Sequence, residues 1–471
     1  YIAQVWTGTS RTPTVFRGKR KERTFEAAYL EYGQMLGMVR PTGRKVWFLA
    51  DPIEDNPNYS WNNYKYNYEC TIIASLMWPD VHHYEVMPWP HRIFQGTYPK
   101  VDLDTASGDR EGIPSEYATQ ILTVINTLND MKQTDVSHMA GTQGIGIVVS
   151  DTMMFQRAAP HASDPDLGSF YGLAMPLVKA GIPLEVAQLE TITTPGAFDR
   201  YRLLLLTYEG QKPLSPDYHD ALAAWVRNGG LLLFVGDNSD PYHRVREWWN
   251  EQGGTAAMAH DDLFDRLGVN RVAYNEPMPV GDGYVRVFSE RPRRLQQYDY
   301  GARKVLELVE ELLATKEIPL DTQHYLGVRR GPYVVVSVLD ESVSEEALTL
   351  EGSYIDLFDP MLAWLNKRTL GLNERTLLYD LDWARANGLK AGVVAAAARV
   401  RDEQHTDGLL RFTMRGPAQT TGRARIALPG PPNGIRMTPE TPFEQVWHSE
   451  SGTLWLEFPN MAADIDVVIN F

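Results

Sequence analysis

Carboxylates, aromatic rings and cations crowd three short stretches near the start of the chain. They are Trp6-Thr7-Gly8-Thr9-Ser10-Arg11, Asp51-Pro52-Ile53-Glu54-Asp55-Asn56-Pro57 and Tyr84-Glu85-Val86-Met87-Pro88-Trp89-Pro90-His91-Arg92. Two carboxyl groups facing one substrate can cleave a glycosidic bond. One protonates the leaving oxygen and the other acts as nucleophile or base, at about 5 Å for retention and about 6.5–9.5 Å for inversion. Asp51, Glu54 and Glu85 are the candidate catalytic carboxylates. Asp51 and Glu85 end, or nearly end, strands that read as neighbours, and neighbouring strands lie about 4.8 Å apart. Glu54 and Asp55 lie farther into the loop and can stand in for Asp51. Asp51 and Asp55 equally suit a plain capping role, because Asp before Pro is a common turn starter.

Trp6, Trp61, Trp89, His91 and Arg92 are the candidate substrate-binding residues. Trp89 stands between two prolines, which fix its backbone, and beside His91-Arg92. A rigid aromatic next to a cation suits the apolar face and hydroxyls of a sugar. All three tryptophans suit rim or core packing as well. His82-His83 precede Glu85, and strand alternation places His83 and Glu85 on one face. No third and fourth ligand follows at recognisable spacing, so no metal site is expected. No cofactor is expected either.

These stretches need strands and helices to position them. Residues 1–138 repeat a strand–loop–helix pattern: Tyr1–Trp6, Lys45–Ala50 and Val81–Met87 read as strands, and Phe25–Val39, Tyr64–Trp78 and Ser115–Met131 as helices. Val46, Trp47, Phe48 and Leu49 run consecutively, as in a parallel strand buried on both faces. In a (β/α)8 barrel, catalytic side chains sit at the C-terminal strand ends and the loops after them, which selects the three stretches above. Three βα units cannot close a barrel, and an open sheet leaves a strand edge bare. About four or five further units are therefore expected from an N-terminal segment or a second chain.

Residues 139–275 restart the alternation. The strands are Gly144–Ser150, Pro183–Val186, Leu203–Thr207 and Leu231–Val235, and the helices are Ser169–Lys179 and Pro216–Asn228. This predicts a doubly wound, flavodoxin-like α/β domain. Thr207-Tyr208-Glu209-Gly210-Gln211 holds neither a cysteine nor a Gly-x-Ser-x-Gly elbow, and Gly144-x-Gly146 lacks a third glycine, so an interface role is expected there. Residues 276–375 read as a mixed α/β extension. Residues 376–471 read as a small antiparallel β domain, with strands at Leu409–Met414, Ala424–Leu428, Leu454–Phe458 and Ile465–Phe471.

Composition narrows the function classes. The 471 residues are 43 % hydrophobic and 22 % charged, with a net charge of −15. An acidic surface repels phosphate backbones, which disfavours nucleic-acid partners. No apolar run reaches the ~20 residues of a membrane span. One cysteine, Cys70, excludes an intrachain disulfide framework. The expected setting is soluble, in a bacterial cytoplasm or outside the cell.

Tyr201-Arg202-Leu203-Leu204-Leu205-Leu206-Thr207, then Leu214-Ser215, a helix with Leu222, Trp225 and Val226, and Gly229-Gly230-Leu231-Leu232-Leu233 resemble the trimerisation domain of β-galactosidase-like glycoside hydrolases. The resemblance covers roughly residues 1–275, with a looser match at the end. It implies an amidotransferase-like domain after a (β/α)8 barrel, and a small β domain closing the chain. It also implies a β-galactoside or related oligosaccharide substrate, and a homo-oligomer, dimer or trimer. Two glutamates are implied: an acid/base after the fourth barrel strand and a nucleophile after the seventh. If the three strands are the sixth to eighth, the nucleophile position falls at Asp51 to Glu54; if the fifth to seventh, on Glu85. The single helix before the next domain and Trp89-x-His91-Arg92 favour the first count. The acid/base glutamate then lies outside this sequence. The alternative is a non-catalytic carbohydrate-binding or scaffold protein derived from a glycosidase.

Overall fold

The consecutive apolar residues of the first strands are those of strands covered on both faces, and they pair in parallel. In the computed structural model Ile2–Val5 (β1), Trp47–Ala50 (β2) and His83–Val86 (β3) form one sheet in the order β1-β2-β3. Thr24–Val39 (α1) and Trp61–Leu76 (α2) make the crossovers, and Ser115–Leu128 (α3) follows β3. The structure describes the chain except residues 6, 54–55, 87–89, 103–107, 154–163, 165, 252–253 and 270–274.

Alternation splits the sheet into two faces. Ala3, Phe48 and Tyr84 face the helices, where Phe48 is fully buried and meets the ring of Tyr32 at 4.4 Å. Ile2, Trp47 and His83 form one row of the opposite face, and Gln4, Leu49 and Glu85 the next. That second face carries Ile2 at 57 % exposure and Trp47 at 40 %. Both β1 and β3 are sheet edges. The strand after α3, Val136–His138, leaves for another sheet and pairs antiparallel with Tyr325–Arg330.

The second unit is a doubly wound sheet. Its parallel strands are Ile145–Val149 (β4), Glu185–Gln188 (β5), Leu203–Leu206 (β6), Leu231–Val235 (β7) and Gly283–Phe288 (β8), ordered β5-β4-β6-β7-β8, and Met278–Val280 adds an antiparallel edge beside β8. This is the strand order of flavodoxin-type sheets. Gly168–Lys179 (α4), Pro216–Arg227 (α5), Ala259–Leu267 (α6) and Asp299–Ala314 (α7) flank it. The sheet thus continues past residue 275. Strand β8 escapes a search for unbroken apolar runs because Arg286 sits in its middle, 5 % exposed and neutralised by Glu311 at 3.2 Å.

Two antiparallel units complete the chain. A six-stranded sheet joins Val136–His138 to strands between Tyr325 and Asp380, and two four-stranded sheets between Gly392 and Asn470 face each other over Leu410, Phe412, Ile426, Leu456 and Val467. No helix among the described residues is long and apolar enough to cross a membrane.

Close backbone approach and buried charge lock the units together. A Cβ on Gly37 of α1 would stand 2.2 Å from the carbonyl oxygen of Val186 on β5, so only glycine allows this contact. Tyr29, about two turns earlier on the same side of α1, donates its hydroxyl to Leu184 O at 3.0 Å. Lys179, at the end of α4, is 1 % exposed; its ammonium donates to Glu26 of α1 and, at 2.6 Å, to Asp340 beyond Tyr333–Val338. Lys21 reaches Asp340 at 2.5 Å, and Arg23 reaches Glu341 at 2.9 Å. Burial opposes ionisation of Asp340, but Lys179 and Lys21 outweigh it and hold the carboxyl at about 2.

Replacing Lys179 with Met leaves Glu26 buried without a counter-charge, which costs about 3–5 kcal/mol. Urea unfolding of Lys179→Met is expected to show that loss, and wild-type stability there would refute the role. Asp340 has a folded pKa below its ordinary 3.8. Its contribution is therefore fully present above about pH 4 and is lost as pH falls toward about 2. Across that window stability should fall more steeply in the wild type than in Asp340→Asn.

Candidate active site

The strand register determines where the candidate carboxylates lie. Glu85 pairs level with Leu49, and Gln4 completes the row. Asp51 follows two residues after Leu49, one layer nearer the C-terminal mouth. Strand rise and spacing then put the Asp51 and Glu85 Cα atoms about 8 Å apart. Glu85 is half-buried and has no hydrogen-bond or ion-pair partner among the described residues. The Asp51 carboxylate accepts from Ile53 N at 3.2 Å, closing the turn that its position before Pro52 predicts. Asp51 therefore has at least a structural task. Glu54 lies outside the described residues.

Glu85 is aimed by its neighbour. Tyr84 points to the opposite face, where its hydroxyl accepts from Arg330 Nη1 at 3.0 Å. Arg330, fully buried on Tyr325–Arg330, also donates to Val81 O at 2.8 Å and Met131 O at 3.3 Å. This guanidinium clamps the start of β3 and the end of the α3 region to the antiparallel sheet. It holds the pleat of β3 so that residue 85 faces away from the helices. His83 lies on the same face as Glu85, as alternation predicts, and stacks on Trp47 at 4.8 Å. His82 turns elsewhere, its Nδ1 3.0 Å from Met131 O.

The aromatic and cationic candidates part company. Trp61 is a core residue rather than a sugar platform: it is 2 % exposed, within 4.4 Å of the Tyr98 ring, and its Nε1 donates to Glu111 O at 3.3 Å. As the first residue of α2, directly after the N-cap Ser60, it is turned inward by the helix start. His91 and Arg92 lie on the short helix Pro90–Gln95, His91 exposed and Arg92 half-buried. Trp6 and Trp89 lie outside the described residues.

One feature of the mouth escaped the sequence reading. Arg11, in the loop after β1, donates to Asn63 Oδ1 at 2.8 Å and lies 3.8 Å over the Tyr59 ring, both from the loop–helix region after β2. Asn63 Nδ2 and the Ser60 amide and hydroxyl each donate to Asp102, in the loop after β3, at 2.8 Å. Burial opposes ionisation of Asp102, yet the Ser60 and Asn63 bonds keep its carboxyl below the ordinary range. All three loops after the strands are thus tied by one polar chain. The Ser60 cap before Trp61 was its only local signal.

The α/β unit has its own polar cluster at the C-terminal ends of β6 and β7. Glu209 Oε1 lies 3.1 Å from His243 Nε2, and Lys212 Nζ donates to Asp240 at 2.8 Å. Burial raises the Glu209 carboxyl above its ordinary value despite the His243 bond. Glu209, Asp240 and His243 bring ligand-type atoms within 4.8 Å of one another. These three could hold a metal, but Lys212 already supplies positive charge to Asp240.

No family model and no curated protein sequence matches the chain. Among solved structures, it is similar to a β-galactosidase from Bacillus circulans sp. alkalophilus at 9 % identity and a TM-score of 0.34, covering 54 % of this chain and 42 % of that one. A catalytic mutant of a GH42 β-galactosidase from G. stearothermophilus gives 11 % identity, a TM-score of 0.36 and coverages of 71 % and 59 %. An exo-carrageenase of GH42 from Bacteroides ovatus gives 10 %, 0.32, 95 % and 47 %. The chain spans 42 % to 59 % of the length of these three proteins. The β-galactosidase-like resemblance read from the sequence has its counterpart in these neighbours. At such scores the architecture rests on the strand order described above.

Proposed function

We propose that this chain supplies the closing βα units of a glycoside hydrolase barrel that acts on a β-galactoside or related oligosaccharide. The observation that carries the reading is Glu85, a half-buried carboxylate without a partner among the described residues, on the face of a parallel sheet. The exposed Trp47 and Ile2 on the same face support a barrel interior, since interior rows of such barrels are apolar near the N-terminal strand ends.

The departure of Val136–His138 to another sheet supports β3 as the last barrel strand, hence the count of sixth, seventh and eighth. On that count the nucleophile position is the loop at Asp51 to Glu54. Glu85 then flanks the reacting sugar from the neighbouring strand, with His91 and Arg92 near the mouth. Glu85 either orients a hydroxyl or holds the proton balance of the nucleophile; a carboxylate can do both without a metal. The acid/base partner comes from barrel units supplied N-terminal to these residues or by a second chain.

Glu85→Gln should lower kcat/KM on an aryl β-D-galactoside at least about 100-fold while circular dichroism stays unchanged. Full activity in that variant would remove Glu85 from the mechanism. The second reading, a sugar-binding protein without turnover, is favoured instead if the wild type binds galactose but hydrolyses no aryl glycoside in a panel. Intact-mass and subunit analysis of the purified natural protein should reveal the residues that complete the barrel. Hydrolysis by these 471 residues alone would refute that division of the site.

A further inference from the structure

In doubly wound sheets, ligand sites are built from the loops beyond the C-terminal strand ends. Here a cavity of about 90 Å³ opens there, walled by Glu209 and Gly210 after β6, Ser239 and Asp240 after β7, and Arg291 after β8. His243, farther along the loop after β7, completes a trio: Glu209, Asp240 and His243 each bring a ligand-type atom within 4.8 Å of the other two. All three are buried, at 7 %, 8 % and 1 % exposure.

The charges around this cavity do not balance. Asp164, also in its wall, gives its oxygens to Gly168 N, Ser169 N and the Ser169 hydroxyl. Asp240 accepts from Gly210 N and Tyr242 N, each at 2.9 Å, and is neutralised by Lys212 at 2.8 Å. Arg291 is paired with Asp237 at 3.1 Å, and Arg293 has a partner of its own. Glu209 is left. Its Oε1 accepts from Asp237 N at 3.1 Å and lies 3.1 Å from His243 Nε2, and no lysine or arginine among the described residues reaches it. Its Oε2 has no hydrogen bond among the described residues and is not sealed from water, so a group in the cavity can reach it. Burial, with the charges of Asp240 and Asp237, raises the Glu209 carboxyl above its ordinary value against the His243 bond. Glu209 and Asp240 thus share a single ammonium.

We infer that Glu209, Asp240 and His243 bind a divalent transition-metal ion of the Zn²⁺ type, with water from the cavity in the remaining position. Two ligand atoms about 2.0–2.1 Å from one ion lie about 3.0–3.4 Å apart, and Glu209 Oε1 and His243 Nε2 have that separation. The ion replaces the proton that these two atoms share and supplies the charge that Glu209 lacks. Asp240 stays anchored by Lys212 and Tyr242 N, because a carboxylate oxygen has lone pairs for an amide and a metal together. An imidazole among the ligands favours Zn²⁺ over Mg²⁺ or Ca²⁺, which take oxygen sets. Three protein ligands beside a small cavity make an open site of the kind that activates water, not a closed structural one.

Equilibrium dialysis against Zn²⁺ in about 1,000-fold excess Mg²⁺ tests the site. The wild type should retain one Zn²⁺ per chain with a Kd of about 1 μM or tighter. In Glu209→Gln, which keeps the side chain's shape and an acceptor for Asp237 N, the Kd should rise at least about tenfold. Glu85→Gln should bind as the wild type does. X-ray absorption of the Zn²⁺-loaded wild type, which needs no variant to fold, should show one imidazole, oxygen ligands at about 2.0–2.1 Å and no sulfur. Absence of that equivalent in the wild type, undiminished binding in Glu209→Gln, or a spectrum with thiolate or several imidazoles overturns the site. Displacement of Zn²⁺ by the Mg²⁺ overturns the choice of ion. Because the readout is bound metal and not glycoside turnover, inactivity of the barrel leaves this result unaffected.

Discussion

A buried ammonium organises this molecule. Lys179 ends a helix of the doubly wound sheet, yet its two closest carboxylates belong to α1 and to the turn after the antiparallel strand Tyr333–Val338. Removing a lysine from water is costly unless its counter-charges arrive with it. The three units must therefore meet for any of them to bury this side chain favourably. Arg330 repeats the logic with carbonyl oxygens in place of carboxylates, gripping Leu76, Val81 and Met131 from a strand about two hundred residues away. The shared hydrophobic cluster that runs from Ala3 through Val186 to Leu377 is continuous because these charges hold its boundaries in register.

This explains why the three-stranded parallel sheet is well packed on one face. Helices α1 and α2 are buried from behind by β5 and by the antiparallel sheet, so Phe48, Tyr32 and Trp78 have a full complement of neighbours. The opposite face is less covered, with Ile2 and Trp47 exposed. Trp47 shields itself partly by stacking on His83, and Leu49 by lying between Gln4 and Glu85. The contrast between the two faces is the physical mark of a sheet with one layer of packing.

Local pattern carried most of the strands and helices. The helix expected at Phe25–Val39 starts one residue earlier, and Leu203–Leu206 and Leu231–Val235 stand where the apolar runs placed them. What stayed hidden depended on distant partners. The strand Gly283–Phe288 carries Arg286, whose charge is met by Glu311 and the Val287 carbonyl among others. Trp61 has the composition of a sugar platform, and only its position after the Ser60 cap sends it into the Tyr64, Tyr98 and Tyr117 cluster. The Arg11–Asn63–Asp102 chain joins three loops that no spacing rule connects. Among the candidate catalytic groups, alternation did place His83 and Glu85 on one face.

The charges of this chain also give Glu85 its meaning. Lys179, Asp340, Glu341, Arg330, Lys212 and Asp240 are all shielded from water to differing degrees, and each has a partner of opposite charge or a carbonyl at hydrogen-bond distance. Satisfied polar groups are the rule in folded proteins, and an exception requires a reason. Glu85, half-buried and without a partner among the described residues, sits on a strand held by the Arg330–Tyr84 contact rather than on a loop that could swing to find a partner. A carboxylate kept half-buried and unpaired by its own framework retains free lone pairs for a group that arrives from outside.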